Sequence, residues 1–208
     1  MNASAAGENF RRLRESLPEH VTLVVAAKGR SVNEVAAVIE AGARVIGENY
    51  VPEVERHRDG LGALADRAEW HMIGHVQRNK TRRALARCDV IQSVDSARLA
   101  RALNERAEGP VRVCVEVCIA GEQSKQGVAP EGLDDLLVEM SRMANLSVEG
   151  LMTMEPYYAD PELARPHFGR MRVLFDQQDG QPLVSKAHEQ VQDLAYQVGG
   201  QPDRGLIQ

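Results

Sequence analysis

Thr22-Leu23-Val24-Val25-Ala26-Ala27-Lys28-Gly29-Arg30 is the stretch on which the fold turns. Six apolar or β-branched residues end abruptly in a lysine and a glycine. A run this short, apolar on both faces and rich in valine, reads as a buried strand of a parallel sheet. Five comparable runs follow, at residues 44–47 (Arg-Val-Ile-Gly), 69–74 (Glu-Trp-His-Met-Ile-Gly), 89–94 (Asp-Val-Ile-Gln-Ser-Val), 111–119 (Val-Arg-Val-Cys-Val-Glu-Val-Cys-Ile) and 148–154 (Val-Glu-Gly-Leu-Met-Thr-Met). Their starts lie roughly 20 to 40 residues apart, which leaves room for one crossover helix each.

The intervening segments carry helix signals. Ser31 with Glu34 forms a capping-box pattern ahead of Val35, Val38 and Ile39. Pro52, Pro130 and Pro161 suit first turns. Leu133, Leu136, Leu137, Met140 and Met143 form an apolar stripe, and Phe168, Met171, Leu174 and Phe175 form another. Strict β–α alternation with right-handed crossovers predicts an α/β fold, a TIM-type (β/α) barrel. A complete eight-stranded barrel takes about 250 residues, with about 200 as the lower bound. The chain has 208, and the expected barrel is incomplete, with six recognisable strands and the seventh and eighth not evident.

Composition narrows the function classes. A net charge of −5 and a pI near 5.7 give no general attraction to nucleic acid or anionic membranes. No apolar run approaches the ~20 residues that span a bilayer. No basic segment followed by an apolar one opens the sequence, so a signal peptide is not expected. Three cysteines, Cys88, Cys114 and Cys118, with no CxxC pair, fit a reducing cytoplasmic setting.

In such a barrel, function sits at the C-terminal ends of the strands. Lys28 ends the first run. Partial burial of its stem would lower its pKa and free the amine to form an imine with an aldehyde. Position alone favours a lysine that snorkels from a strand end to solvent. Asn49 ends the second run, where it can offer a donor and an acceptor to a ligand or cap the helix that holds Pro52. His71 and His75 have the four-residue spacing of helical metal ligands, but they sit in a strand context without the zincin glutamate; His71 facing the barrel mouth is the better functional reading. The basic run 77–83 reads as a solvated helix face before it reads as an anion site. Ser93 ends the fourth run and can point either way, while Asp95 or Ser96 caps the next helix. Cys114 and Cys118 fall four apart on one expected strand and so share a face. Neither Gly-x-Gly-x-x-Gly nor a P-loop occurs.

Taken in order, these pieces resemble a family. They are Lys28 closing the first run, Ile46-Gly47-Glu48-Asn49-Tyr50-Val51, Trp70-His71-Met72-Ile73-Gly74-His75-Val76-Gln77-x-Asn79-Lys80, Ser93-Val94-Asp95-Ser96, Gly121-Glu122-Gln123-Ser124-Lys125-Gln126-Gly127, Gly150-Leu151-Met152-Thr153 and Arg165-Pro166-x-Phe168. The sequence from about residue 5 to residue 176 closely resembles the pyridoxal phosphate homeostasis proteins, relatives of the barrel domain of alanine racemase. The resemblance implies pyridoxal 5'-phosphate as cofactor, held as a Schiff base on Lys28, with Asn49, His71, Ser93 and Met152 around it. It implies a carrier or regulator of the cofactor and of amino- and keto-acid balance, without established catalytic turnover. A racemase-like enzyme and a scaffold that no longer binds the cofactor are the alternatives. Cofactor-dependent apo-enzymes are the implied protein partners, and the implied state is a monomer or weak homo-oligomer.

The resemblance stops near residue 176, so residues 1–175 are read as the barrel and 176–208 as an atypical tail. The tail holds 8 of the chain's 12 glutamines and one amphipathic stretch, with Ala187, Val191, Leu194 and Val198 on one side. The family's seventh and eighth strands end in a Ser-Met-Gly-Met-Ser type and a Gly-(Ser/Ala)-Thr-x-Val-Arg-x-Gly type segment that bind the cofactor phosphate. Neither is present, and Cys118 stands where the family usually has asparagine. A frameshift or chimeric join near codon 183, a tail helix over an incomplete sheet, and strands supplied by a partner chain are the three readings. An open six-stranded sheet would expose two edges and is expected to be poorly stable unless covered.

Overall fold

The computed structural model describes residues 3–119, 126–154, 158 and 160–177. The Gly121–Lys125 part of the fifth motif and the amphipathic stretch of the tail lie outside the described residues. In chain order the elements are α1 (Ala3–Ser16), β1 (Val24–Ala26), α2 (Val32–Glu40), β2 (Val45–Glu48), α3 (Val51–Leu61), β3 (Glu69–Met72), α4 (Thr81–Leu85), β4 (Val90–Val94), α5 (Ala97–Arg106), β5 (Val111–Glu116), α6 (Leu133–Met140), β6 (Leu146–Met152) and α7 (Arg165–Gln177). All six expected strands are present. They form one parallel sheet in the order β1-β2-β3-β4-β5-β6. Among the described residues, β1 and β6 each have one neighbouring strand, so the sheet is an unclosed barrel.

Local chemistry sets the helix starts. Ser31 accepts from the Glu34 amide while the Glu34 carboxylate accepts from the Ser31 amide, the reciprocal pair expected. Ser96, rather than Asp95, caps α5 by accepting from the Leu99 amide. Pro52 lies in the first turn of α3, while Pro130 and Pro161 open short 3-10 turns ahead of α6 and α7. Helix α1, not anticipated in the sequence pattern, buries Ala6 and Phe10 and packs on α2.

Register assigns the faces. Val25, Ile46 and Trp70 align across β1 to β3, and Met72, Ile91 and Val113 across β3 to β5; Trp70 and Met72 are two apart on β3, so all six share one face. All are buried in the core with Val35, Val38, Ile39, Val54, Leu99 and Leu103 of the helices. Each such aliphatic side chain contributes about 1.5–3 kcal/mol when fully buried. The opposite, interior face carries Ala26, Gly47, Glu69, His71, Gln92, Arg112 and Glu116.

The fifth strand is shorter than expected. It ends at Glu116, beyond which Val117 makes only an isolated bridge with Val128. Cys118 therefore lies outside the strand and does not share a face with Cys114 by strand alternation. The register also shifts between Ile91 and Val94 and between Val113 and Cys114, and such bulges reset the alternation that the sequence pattern assumes. Burial pushes the Cys114 thiol up to about 12, which suits a packing residue.

Candidate functional site

Met152 ends β6, Lys28 and Asn49 lie just beyond β1 and β2, and His71 and Ser93 each sit one residue before the end of β3 and β4. Lys28 follows β1 in a turn in which the Arg30 amide donates to the Ala27 carbonyl (3.0 Å). Gly29, at φ 71°, occupies the left-handed position that such a turn requires of its third residue. The stem of Lys28 is not partly buried as expected. The residue is exposed, because β1 stops at Ala26 and has a neighbouring strand on one side only. Its amine lies 5.4 Å from the centroid of the Tyr50 ring, a cation–π distance.

Asn49 is half-buried directly after β2. It is not the cap of α3, whose N-cap is Tyr50 with no side-chain cap bond. Its backbone packs against Gly74, where a Cβ would fall 2.4 Å from the Asn49 carbonyl oxygen; only glycine allows this approach of the two strand ends. The Ser93 hydroxyl, fully buried, donates to the Gly74 carbonyl at 2.7 Å and draws the end of β4 to the same point. Asn49, Gly74 and Ser93 are thus brought together across three consecutive strands.

His71 lies on the interior face. The Gln92 amide nitrogen is 2.7 Å from its Nδ1, so Nδ1 accepts and the proton sits on Nε2. That Nε2 is buried without a hydrogen-bond partner, and the nearest carboxylate, Glu69, stands 3.6 Å away. His75 does not join it, pairing instead with Asp95 at 3.1 Å beyond the end of β3. Met152, buried at the end of β6, aligns with Glu116 of β5, and its carbonyl accepts from the Val117 amide. The basic run is a solvated face: Arg82 and Arg83 are exposed and Arg83 pairs with Glu55.

Several polar residues were not found from the sequence. Arg112 bridges Glu69 and Glu149 on the interior face. The His71 ring, with Arg112 beside it, holds the Glu69 carboxyl down at about 2. Glu116 is 5% exposed, and its Oε2 has no partner. Burial, with Asp95 nearby, pushes its carboxyl up to about 7. On the helix-facing side, Glu48 of β2 and His57 of α3 are fully buried against each other. Alternation of charge along one strand could have flagged Glu69 and Glu116, but no local signal pairs residues 48 and 57.

The alanine racemase N-terminal domain family profile matches residues 1–188. The pyridoxal phosphate homeostasis protein of Aquifex aeolicus is 37% identical over 150 residues, covering 71% of this chain and 65% of that protein. That of Pseudomonas aeruginosa is 34% identical over 164 residues, covering 76% and 69%. The chain thus spans about two thirds of the length of these relatives. PipY of Synechococcus elongatus, solved without pyridoxal phosphate, superposes with TM-score 0.81 at 27% identity, over 93% of this chain and 96% of that one. PipY with the cofactor bound gives TM-score 0.77 at 28% identity, over 86% of this chain and 84% of that one. An alanine racemase of Clostridium difficile, 16% identical with TM-score 0.71 over 87% of this chain and 48% of that one, shares the fold. The chain belongs to the alanine racemase N-terminal domain family and, within it, to the pyridoxal phosphate homeostasis proteins.

Proposed function

We propose that this chain binds pyridoxal 5'-phosphate through Lys28 and serves intracellular homeostasis of the cofactor rather than a catalytic cycle. The observation that carries the reading is the free amine. Lys28 stands exposed at the C-terminal rim, over the Tyr50 ring, with no hydrogen bond or ion pair among the described residues. The neighbouring groups fit a polar aromatic ligand. His71 Nε2 and Glu116 Oε2 are buried on the interior face with no hydrogen-bond partner; Nε2 can donate there, and Oε2 can accept or, when protonated, donate. Asn49, His71, Ser93 and Met152 are the residues we place around the ring. Bound there, the cofactor supplies an aldehyde that a lysine amine holds reversibly.

Without the family's phosphate-binding segments, binding is expected to be weaker than in the relatives, since charge-assisted contacts to a dianion are among the strongest available to a site. On this reading the partners are the cofactor and the apo-enzymes that take it up in the cytoplasm, and the chain acts as a monomer or weak homo-oligomer. Among the described residues no helix is long and apolar enough to cross a membrane. On this reading the binding unit is residues 1–175, and the glutamine-rich sequence 176–208 is the tail that follows it.

Adding pyridoxal phosphate is expected to give a visible imine absorbance, and borohydride is expected to fix the label on the peptide containing Lys28. Lys28→Ala abolishes both. Labelling at another lysine overturns the assignment.

A further inference from the structure

The Lys28 side chain is exposed, so what fixes its amine is the backbone turn that carries it. Four contacts hold that turn. The Ala27 amide donates to the Gly47 carbonyl of β2 (2.8 Å). The Gly29 amide faces the Glu53 carboxylate of α3, at 3.3 and 3.4 Å from its two oxygens. The Arg30 carbonyl accepts from Arg56 Nη2 (3.0 Å) and from His57 Nε2 (2.9 Å). Arg56 reaches it from an exposed position on the surface of α3, whereas His57 reaches it from the interior, where the ring is wholly buried.

His57 is itself held. Its Nδ1 meets Glu48 Oε1, and Glu48, the last residue of β2, is also fully buried. Nε2 lies 2.9 Å from the Arg30 carbonyl and 3.2 Å from Arg56 Nη2; donation to the nearer carbonyl leaves Nδ1 to share one proton with the carboxylate. One ring therefore ties the end of β2 and the second turn of α3 to the carbonyl two residues past Lys28. Stability alone does not account for this choice. A buried acid–base pair loses solvation, and well-packed apolar residues of similar volume often serve a core as well or better. The Glu48 Oε2 atom, buried and without a partner, adds to that loss.

We propose that His57, oriented by Glu48, is a positioning residue that sets the Lys28 turn for attack on an aldehyde. This rests on the reading that Lys28 bonds to pyridoxal phosphate. Orientation of a reacting group is worth large factors, and small displacements cost them.

Two near-isosteric substitutions separate the roles of the two ring nitrogens. His57→Gln places an amide donor where Nε2 stands and loses the Glu48 contact. His57→Asn places one where Nδ1 stands and loses the Arg30 contact. Each is assayed by pyridoxal phosphate titration, by thermal unfolding, and by amide hydrogen exchange of the 27–31 segment. His57→Asn is expected to weaken pyridoxal phosphate binding by about tenfold or more and to speed exchange at Arg30, while His57→Gln stays within about threefold of the parent in binding, even though its melting temperature falls because the buried Glu48 carboxyl loses its partner. Equal binding by both variants and the parent overturns the proposal. So do losses of binding that merely follow the loss of melting temperature in both. Should the parent take up no pyridoxal phosphate, the functional reading fails on its own. The exchange comparison still decides whether His57 holds the turn, and unchanged exchange in His57→Asn refutes it.

Discussion

The two faces of the sheet are built on different chemistry. Val25, Ile46, Trp70, Ile91 and Val113 face the helices and disappear into the core. The interior face holds Glu69, His71, Gln92, Arg112, Glu149 and Glu116, the last with an unpartnered oxygen. An ordinary barrel fills its interior with branched aliphatic layers. Here the outer layer buries the apolar surface, and the inner face carries polar atoms, two of them (His71 Nε2 and Glu116 Oε2) buried without a hydrogen-bond partner.

The sharpest way to break this contrast is on the outer face. Trp70→Ala should cost about 3–5 kcal/mol in urea denaturation, through lost burial and a cavity. It also removes the indole N–H that donates to the Ala65 carbonyl at 3.0 Å, leaving that oxygen with the Ala68 amide. A cost no larger than that of an exposed substitution would mean that the helix layer is not what stabilises the chain.

On the interior face the sign should reverse. Glu116 titrates near 7 when folded against 4.5 for the ordinary group. The folded chain holds that proton where the unfolded chain releases it. The penalty is absent below pH 4.5, grows from there to about 7, and is complete above. Glu116→Gln should therefore stabilise at pH 8, by the order of 1–3 kcal/mol, and leave stability at pH 4 little changed. Glu69 works in the opposite direction. Its carboxyl sits at about 2, so its contribution is present above 4.5 and is lost as pH falls towards 2. Glu69→Gln should flatten that acid limb of a denaturation series. Identical pH profiles for the parent and both variants would remove the electrostatic distinction between the faces.

The smallest effect belongs to a helix end. Ser96→Ala should cost about 1 kcal/mol through loss of the cap on the Leu99 amide, with no effect on cofactor binding. A change in binding would show that the end of β4 is coupled to α5 more tightly than a cap implies.

The outer face was legible in the sequence because its signal is local. The short apolar runs gave all six strands and their order, and Ser31 with Glu34 gave the start of α2. The rim position of Lys28 followed from the end of the first run, but its exposure did not, since that depends on what stands beside β1 in space. The interior was less legible for the same reason. Whether Gln92 meets His71 depends on cross-strand register, and the bulge at Ile91/Val94 breaks the two-residue period just beyond that point. Glu48 and His57 meet only because β2 and α3 pack as one unit. Cys118 was misplaced because an apolar run continues past the last residue that has a strand partner.

The sequential strand order has a consequence for how the chain is made. Each strand pairs with the one synthesised just before it, so no pairing in the described sheet waits for a distant segment. Loop-closure entropy is then lost in small steps, and structure can accrue one strand–helix unit at a time as the ribosome releases it. The turn carrying Lys28 would be set early, once β2 and α3 have emerged, well before the later strands exist.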